Sequence, residues 1–438
     1  MTSSSYSFDI AVIGGGPAGC ISALLLKKQG FDIVLFDPDK SASRLEGIGN
    51  RLMHWFRVND LETVIPDPTR VTRLANWNGN SNDYNFEFLV ERKSMDASLR
   101  GHVGKQGVAV VAETADYRKV KQAVEVTAAS GTGFKVKRVI DARGRKAHSG
   151  KHSIHGPATV SIGGWLDECR SEMAFAQVIP FRDGWVWAAH PGGGHAWFQA
   201  TLDAVDGKSP PLSRLQQAFD SCRQQLAQPL SGDFSSILVR GCAPVIGNFT
   251  PDPQIIPVGD AAAAMDPLSG NGMFWAVSSA LAASASINTL ESRPGASSET
   301  LVARYLSERI GETYYRQTRL GRDFLRMETR YRDAAFWSKR LNFPDNQALH
   351  QPTEGIQVKK SIVVVDGILK EKEILITPLE PTGVAWVDGV DAIEIWSLYQ
   401  SEDGIARMSD LWGEDKARSF HTWINERLAV QAPAAAPG

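Results

Sequence analysis

The first ordered pattern along the chain is an unbroken apolar run, Ile10 to Ile13. A segment apolar at every position suits a strand buried on both faces. Gly14-Gly15-Gly16-Pro17 follows, and the apolar-rich stretch to Leu26 predicts a helix that Gly30 ends. Residues 32–37 (Asp-Ile-Val-Leu-Phe-Asp) predict a second strand that ends at Asp37. The pattern changes over about 73–88 and 153–248. There "NFEFLV", "ATVSIGGWL", "EMAFAQVIPF", "GWVWAAH" and "AWFQATL" predict strands of an antiparallel sheet. Residues 303–340 have helical composition. "KKSIVVVDGILKEKEILI" reads as a hairpin, the segment from Asp391 onward reads as short helices, and "AVQAPAAAPG" reads as a disordered tail.

At 438 residues the chain exceeds one ordinary core, so two or three lobes are expected. A net charge of −2 implies no general attraction to nucleic acid or an anionic membrane. The start of the chain lacks a basic region followed by an apolar signal core, and no run of 18 apolar residues suggests a membrane span. Cys20, Cys169, Cys222 and Cys242 are scattered without Cys-x-x-Cys, which argues against a metal site or disulfide framework. These features predict a cytoplasmic protein with no metal.

Gly14, Gly16 and Gly19 stand in G-x-G-x-x-G register between the first strand and the helix. In that context the helix N-terminus receives a pyrophosphate, and the acid closing the second strand, Asp37, binds a ribose hydroxyl. The motif alone does not separate a nicotinamide from a flavin. A second stretch, "VGDAAAAMDPLSGNGM" (258–273), combines two acids with many small residues. Small residues at that density, Gly270 and Gly272 among them, let backbone approach a partner closely.

Three stretches resemble the superfamily of FAD-dependent monooxygenases, halogenases and geranylgeranyl reductases: "VERKSMDASLR" (90–100), "VIDARGR" (139–145) and 258–273. The resemblance implies that Arg92 reaches the FAD phosphates or ribityl region. It places Asp141 to Arg145 near the adenosine, with Arg143 where the family usually has Thr. It implies that Asp260 accepts from the ribityl chain, and that Pro267 to Gly272, Asn271 included, form the turn against the ring. The expected fold class is α/β: a Rossmann-type FAD-binding domain, an antiparallel-sheet substrate domain and a small C-terminal α+β, winged-helix-like domain. The expected boundaries are 1–72 plus 89–152 plus 249–350 for the FAD-binding domain and 73–88 plus 153–248 for the substrate domain. The C-terminal domain takes 351–430, and 431–438 forms the tail.

Flavin halogenases carry a lysine in the region corresponding to 47–62, which here holds none. Their W-x-W-x-I-P is also broken, because Ala188-Ala189-His190 follow Trp187. Within the superfamily the chain most resembles the flavoprotein monooxygenases of tryptophylquinone biogenesis. That resemblance implies FAD, NAD(P)H as reductant, O2, and a polypeptide partner whose tryptophan is hydroxylated twice. His54, Asp266 and His190 are candidate bases, with Pro267 beside them, and Trp185 and Trp187 are candidate cavity walls. Residues 303–340 hold ten Lys/Arg against five Asp/Glu, either a solvated helix face or a docking surface. A small-molecule aromatic hydroxylase and a prenyl-chain reductase share the same motifs.

Overall fold

The computed structural model describes residues 7–148, 153–168, 173–204, 209–247, 252–350 and 353–429. The expected tail at 431–438 and Cys169 lie outside them. The described cysteines Cys20, Cys222 and Cys242 are buried free thiols. The chain divides into two compact units, residues 1–287 with 306–347, and residues 288–305 with 348–438.

The first unit holds two large sheets. One has the parallel order Ala109–Val111, Ile33–Phe36, Phe8–Ile13, Gly133–Asp141, extended antiparallel by Ala123–Ala128 and Ala115–Val120. Strand Ile255–Pro257 adds in parallel to Gly133–Asp141. Ala11, Ile13, Val34, Phe36 and Val139 form its core, as the continuous apolar runs require. The glycine turn and the segment after Pro257 therefore emerge at the same carboxyl edge of neighbouring strands, where α/β sheets bind ligands.

The second sheet has eight strands and is antiparallel except where Phe175–Phe181 runs parallel to Thr69–Trp77. It includes Leu45–Gly49 and all of Thr69–Trp77 and Asn80–Glu91, so the substrate sheet begins well before residue 73. The two lobes expected as separate domains form one compact unit, because these three strands lie between elements of the nucleotide lobe in sequence. Strand periodicity divides the sheet into two faces. Val186, Ala188, Phe198 and Ala200 face helix Pro211–Cys222 and pack on Leu215, Ala218 and Phe219. Trp185, Trp187 and Ala189 alternate with them onto the opposite, inner face, which they share with Val71, Leu89 and Trp197.

The basic stretch does not form a free docking surface. Arg322 and Arg340 are each 3% exposed. Arg319 and Arg322 pair with Asp345, and Arg340 and Lys339 pair with Asp203. Arg326 donates to the Leu341 carbonyl at 2.6 Å, and Arg330 pairs with Glu328 at 2.8 Å. These cations tie the first unit together internally.

Helix Gly272–Ser292 is long and apolar enough to cross a membrane by length and hydropathy, but most of its apolar window is buried within the protein. In the second unit, hairpin Gln357–Val365 with Ile368–Ile376 precedes helices Ala392–Tyr399, Gly404–Trp412 and Glu414–Ala429. Ile395, Leu398, Met408, Ala417, Phe420 and Ile424 form its separate core.

Candidate active site

The site begins at the glycine turn. Gly14 has φ +109°, which L side chains rarely adopt, and a Cβ there would overlap the Ala142 carbonyl. Its N–H donates to the Phe36 carbonyl at 2.9 Å. Gly19, inside the helix, lies against the Gly14 carbonyl with no room for a side chain. Gly16 differs: a Cβ on it would meet nothing within 4 Å. Helix Pro17–Lys28 starts there with no side-chain cap. The positive end of the helix dipole thus adjoins open space at Gly16, as a phosphate requires. Asp37 accepts from the Gly15 N–H at 2.6 Å and the Asp39 N–H at 2.8 Å. In this structure it braces the glycine turn itself.

A charged wall continues from that turn. Asp260 lies in the short turn Gly259–Ala261, and a Cβ on Gly259 would press on Ala18 of the nucleotide helix. Its side chain is 41% accessible, yet it lies deep enough that burial pushes its carboxyl above the ordinary value. Arg145 and Arg240 oppose that rise, and Glu46 adds to it. A deep but accessible acid is the mark of an open cleft. Arg145 Nε stands 3.4 Å from its Oδ2 and the Arg145 guanidinium donates to the Ala243 and Met265 carbonyls. His148 bonds the Asp260 carbonyl at 2.7 Å, and burial lowers the imidazole pKa. Arg143 binds Asp141 through both carboxylate oxygens at 3.0 and 2.8 Å and stacks over Tyr117, whose hydroxyl donates to Asp141. That is the local role of the arginine that departs from the family pattern.

Arg92 opens helix Arg92–Lys105 and is almost fully buried. It donates to Asp96 at 2.9–3.1 Å and to Glu46 at 2.7 Å. Its guanidinium is thus occupied by protein carboxylates, and any contact with a ligand would use what those bonds leave free. Glu46 also takes Arg44 at 3.0 Å and Arg240 at 3.7 Å. Burial raises its carboxyl, but Arg92, Arg44 and Arg240 outweigh burial and hold it well below the usual glutamate range.

The ring turn follows. Asp266 caps Pro267–Ser269, its Oδ1 accepting from the Leu268 N–H at 2.8 Å. Gly270 ends the turn at φ +64°, the left-handed conformation that favours glycine. Asn271 donates to Gln317 at 2.8 Å, which anchors the turn to helix Ala296–Met327. Gly270 and Gly272 are both exposed, so bare backbone faces open space. Leu268 packs with Trp77, Val178, Trp185 and Trp337, and the Arg73 guanidinium lies 3.6 Å from where a Cβ of Gly270 would stand. The inner face of the large sheet therefore meets the ring turn.

Of the candidate bases, none reaches that face in a free state. His190 alternates with Trp187 to the outer face, where it lies 6.2 Å from the Phe175 ring and contacts the Met173 carbonyl at 3.1 Å. The strand's two-residue period excludes it from the inner face, and its candidacy falls. His54 is exposed on the solvent side of helix Asn50–Val58. Asp266 is spent on its cap, and burial pushes its carboxyl up. Behind it lies a cavity of only about 20 Å³, bordered by Thr318, Arg322 and Arg340.

Sequence reading passed over Glu46, Arg240, Arg73 and Glu87. Glu87 lies on the inner face, 8% exposed, and accepts from Trp187 Nε1 at 3.3 Å. The available signal was the alternation in "NFEFLV", which places Glu87 with Leu89 and opposite Phe86 and Phe88. The natural reading turns the phenylalanines inward, whereas here Glu87 and Leu89 are buried and both phenylalanines are half-buried.

The open helix end, the accessible acid in a deep cleft and the bare ring turn fit FAD. Comparisons with known proteins agree. The family model described as lycopene cyclase protein matches residues 9–162. A flavin-dependent halogenase, armH5 of Armillaria mellea, is 27% identical over 365 residues, covering 69% of this chain and 68% of its own length. Among solved structures, the peptidyl tryptophan dihydroxylase QhpG, essential for tryptophylquinone cofactor biogenesis, superposes with a TM-score of 0.81 at 27% identity. That likeness covers 97% of this chain and all of the other. The flavin-dependent halogenase CmlS superposes at 0.71 and 16% identity over 96% of this chain and 95% of its own, a likeness of fold.

Proposed function

Because the chain belongs to the superfamily of FAD-dependent monooxygenases and halogenases, we propose that it is a single-component monooxygenase that uses NAD(P)H and O2 to hydroxylate an aromatic substrate. The substrate is a tryptophan held in a polypeptide, and two oxygen atoms are inserted into its indole. The observation that carries this reading is the full-length likeness, at 27% identity, to a peptidyl tryptophan dihydroxylase. The lysine-free stretch 47–62 weighs against halogenation.

Bound FAD, once reduced by a nicotinamide, supplies oxygen from O2 in electrophilic form. The chain supplies position and exclusion of water. Gly16 and the uncapped helix receive the pyrophosphate, Asp37 the ribose, and Asp260 the ribityl hydroxyls. Arg92 lies nearby to compensate phosphate charge. Gly270, Asn271 and Gly272 present backbone to the ring, and the N-terminus of helix Gly272–Ser292 favours negative charge on it. Trp165, Trp187 and Trp197 line the inner face above, apolar walls suited to an indole.

The second unit, a hairpin with three helices, is the docking module for the polypeptide in this reading. The purified protein should be yellow, release FAD on denaturation, and add two oxygen atoms to the tryptophan of the partner polypeptide, read by mass. Amide hydrogens over 357–429 should gain protection when that polypeptide binds. Preference for free tryptophan would replace this reading with the small-molecule hydroxylase, and turnover without O2 consumption would replace it with the prenyl-chain reductase.

A further inference from the structure

Glu87 is a buried acid that the assignments above leave idle. It accepts one neutral donor, Trp187 Nε1 at 3.3 Å, and among the described residues no cation lies in ion-pair contact with it. Burial pushes its carboxyl above the ordinary value, and Arg73 and the Trp187 N–H only partly oppose this. Its other oxygen lies against Gly47, where a Cβ would overlap it. A carboxylate so placed is costly, since a buried charge without a partner loses its hydration uncompensated. Acids of this kind concentrate at functional sites.

Its surroundings say what it could act on. Trp187, which donates to it, is half-buried, and Trp165, also half-buried, belongs to the same inner-face cluster. Arg73, on the neighbouring strand, bridges from the field of Glu87 to Gly270 of the ring turn. An aromatic face with one carboxylate acceptor, linked through Arg73 to the turn at Gly270, suits a flat substrate that carries a hydroxyl.

We infer that Glu87 is the acid–base residue of the substrate cavity, accepting the hydroxyl proton of the singly hydroxylated indole and so activating it for the second oxygen insertion. This rests on the proposed function. The indole O–H breaks and its proton passes to the Glu87 carboxylate. The freed electron pair raises electron density on the ring carbon that forms the new C–O bond with an oxygen atom derived from O2. The ring carbon then loses its hydrogen to water as a proton, and Glu87 returns its proton to the first oxygen. Overall the aromatic C–H becomes C–OH, NAD(P)H becomes NAD(P)⁺, and the second atom of O2 leaves as water with one proton taken from solvent.

The test uses the FAD-loaded enzyme and 6-hydroxyindole without reductant, titrated across pH. The groups facing Glu87 are the Arg73 guanidinium and Trp187, whose indole does not titrate. Strand Leu45–Gly49 turns only glycine toward it. A raised carboxyl ionises as pH rises, so wild-type affinity for 6-hydroxyindole should climb about tenfold through that transition, the worth of one charge-assisted hydrogen bond. Glu87→Gln should lose the climb while keeping the bound-flavin absorbance and its affinity for plain indole. Trp187→Phe removes the donor and should move the climb to higher pH. With the partner polypeptide, Glu87→Gln should stall after one oxygen atom. A Glu87→Gln enzyme with the wild-type pH profile and normal second insertion overturns the assignment. A wild-type enzyme that leaves the polypeptide unoxygenated overturns the tryptophan reading instead, and the 6-hydroxyindole titration still decides the role of Glu87.

Discussion

Glu46 and Glu87 sit on the two faces of one strand region and have opposite environments. Glu46 points into the charged wall and is met by Arg92, Arg44 and Arg240. Glu87 reaches the other side, against Gly47, and has an indole N–H as its only hydrogen-bond donor among the described residues. Both are deeply placed, yet one carboxyl is held below the ordinary range and the other is pushed above it. Depth alone therefore does not set the protonation of a buried acid. Compensation does. An acid in a cation cluster serves as structure, while an uncompensated one is available to take and return a proton.

The comparison breaks most severely at Arg92. Arg92→Met removes the shared partner of Glu46 and Asp96 and leaves the buried Asp96 without its ion pair, so we expect a loss of about 3–5 kcal/mol in urea unfolding. Unfolding indistinguishable from wild type would mean that the cluster is not a compensated pair. Gly47→Ala attacks the boundary between the two acids. Its Cβ would overlap the Glu87 carboxylate, and overpacking of this kind costs about 1–3 kcal/mol. Affinity for 6-hydroxyindole should fall with it.

Charge-neutral substitutions sharpen the contrast through pH. Glu46, with its lowered carboxyl, contributes stability that is present above its unfolded value near 4.5 and lost as pH falls. Glu46→Gln should thus destabilise the protein at neutral pH, and the deficit should shrink in acid. Glu87 has the reverse sign. Its raised carboxyl favours the folded state below the unfolded value and loses that advantage as pH rises through the folded one. Glu87→Gln should be as stable as wild type in acid and more stable at neutral pH, by thermal unfolding at each pH. The smallest effect is expected for Arg240→Gln: at 3.7 Å from Glu46 and 38% exposed, it should cost no more than about 1 kcal/mol.

Much of the backbone geometry proposed to hold the cofactor is legible in the order of amino acids alone. Glycine spacing between a buried strand and a helix has few physical uses, and Gly14, Gly16 and Gly19 show three of them: a left-handed turn, an open approach and tight packing. The ring turn is legible for the same reason, because Gly270 and Gly272 advertise missing side chains. These are local signals, carried by residues within a few positions of one another.

The substrate side is not. Residues 303–340 look like a cationic surface until Asp203 and Asp345 arrive from elsewhere to pair with Arg340, Arg322 and Arg319. His190 stands two residues after Ala188 and three after Trp187, and only the sheet register sends it to the outer face with Phe175. Strand Leu45–Gly49 is too short and too rich in glycine to be read as part of the substrate sheet, which it joins by pairing with Asn80–Glu91.

By itself, then, the sequence determined the glycine turn after the first strand, the glycine turn at 270–272, the alternation of strands in the large sheet and the separate C-terminal module, since each depends on periodicity or on glycine over a short span. Tertiary structure decided which acid is compensated and which is not. Glu46 and Glu87 are 41 residues apart and chemically identical. What separates them is that Arg92 and Arg240 arrive from distant segments to join the neighbouring Arg44 around the first, whereas a glycine and a tryptophan close around the second. Electrostatic environment is a property of position in space, and folding alone supplies it.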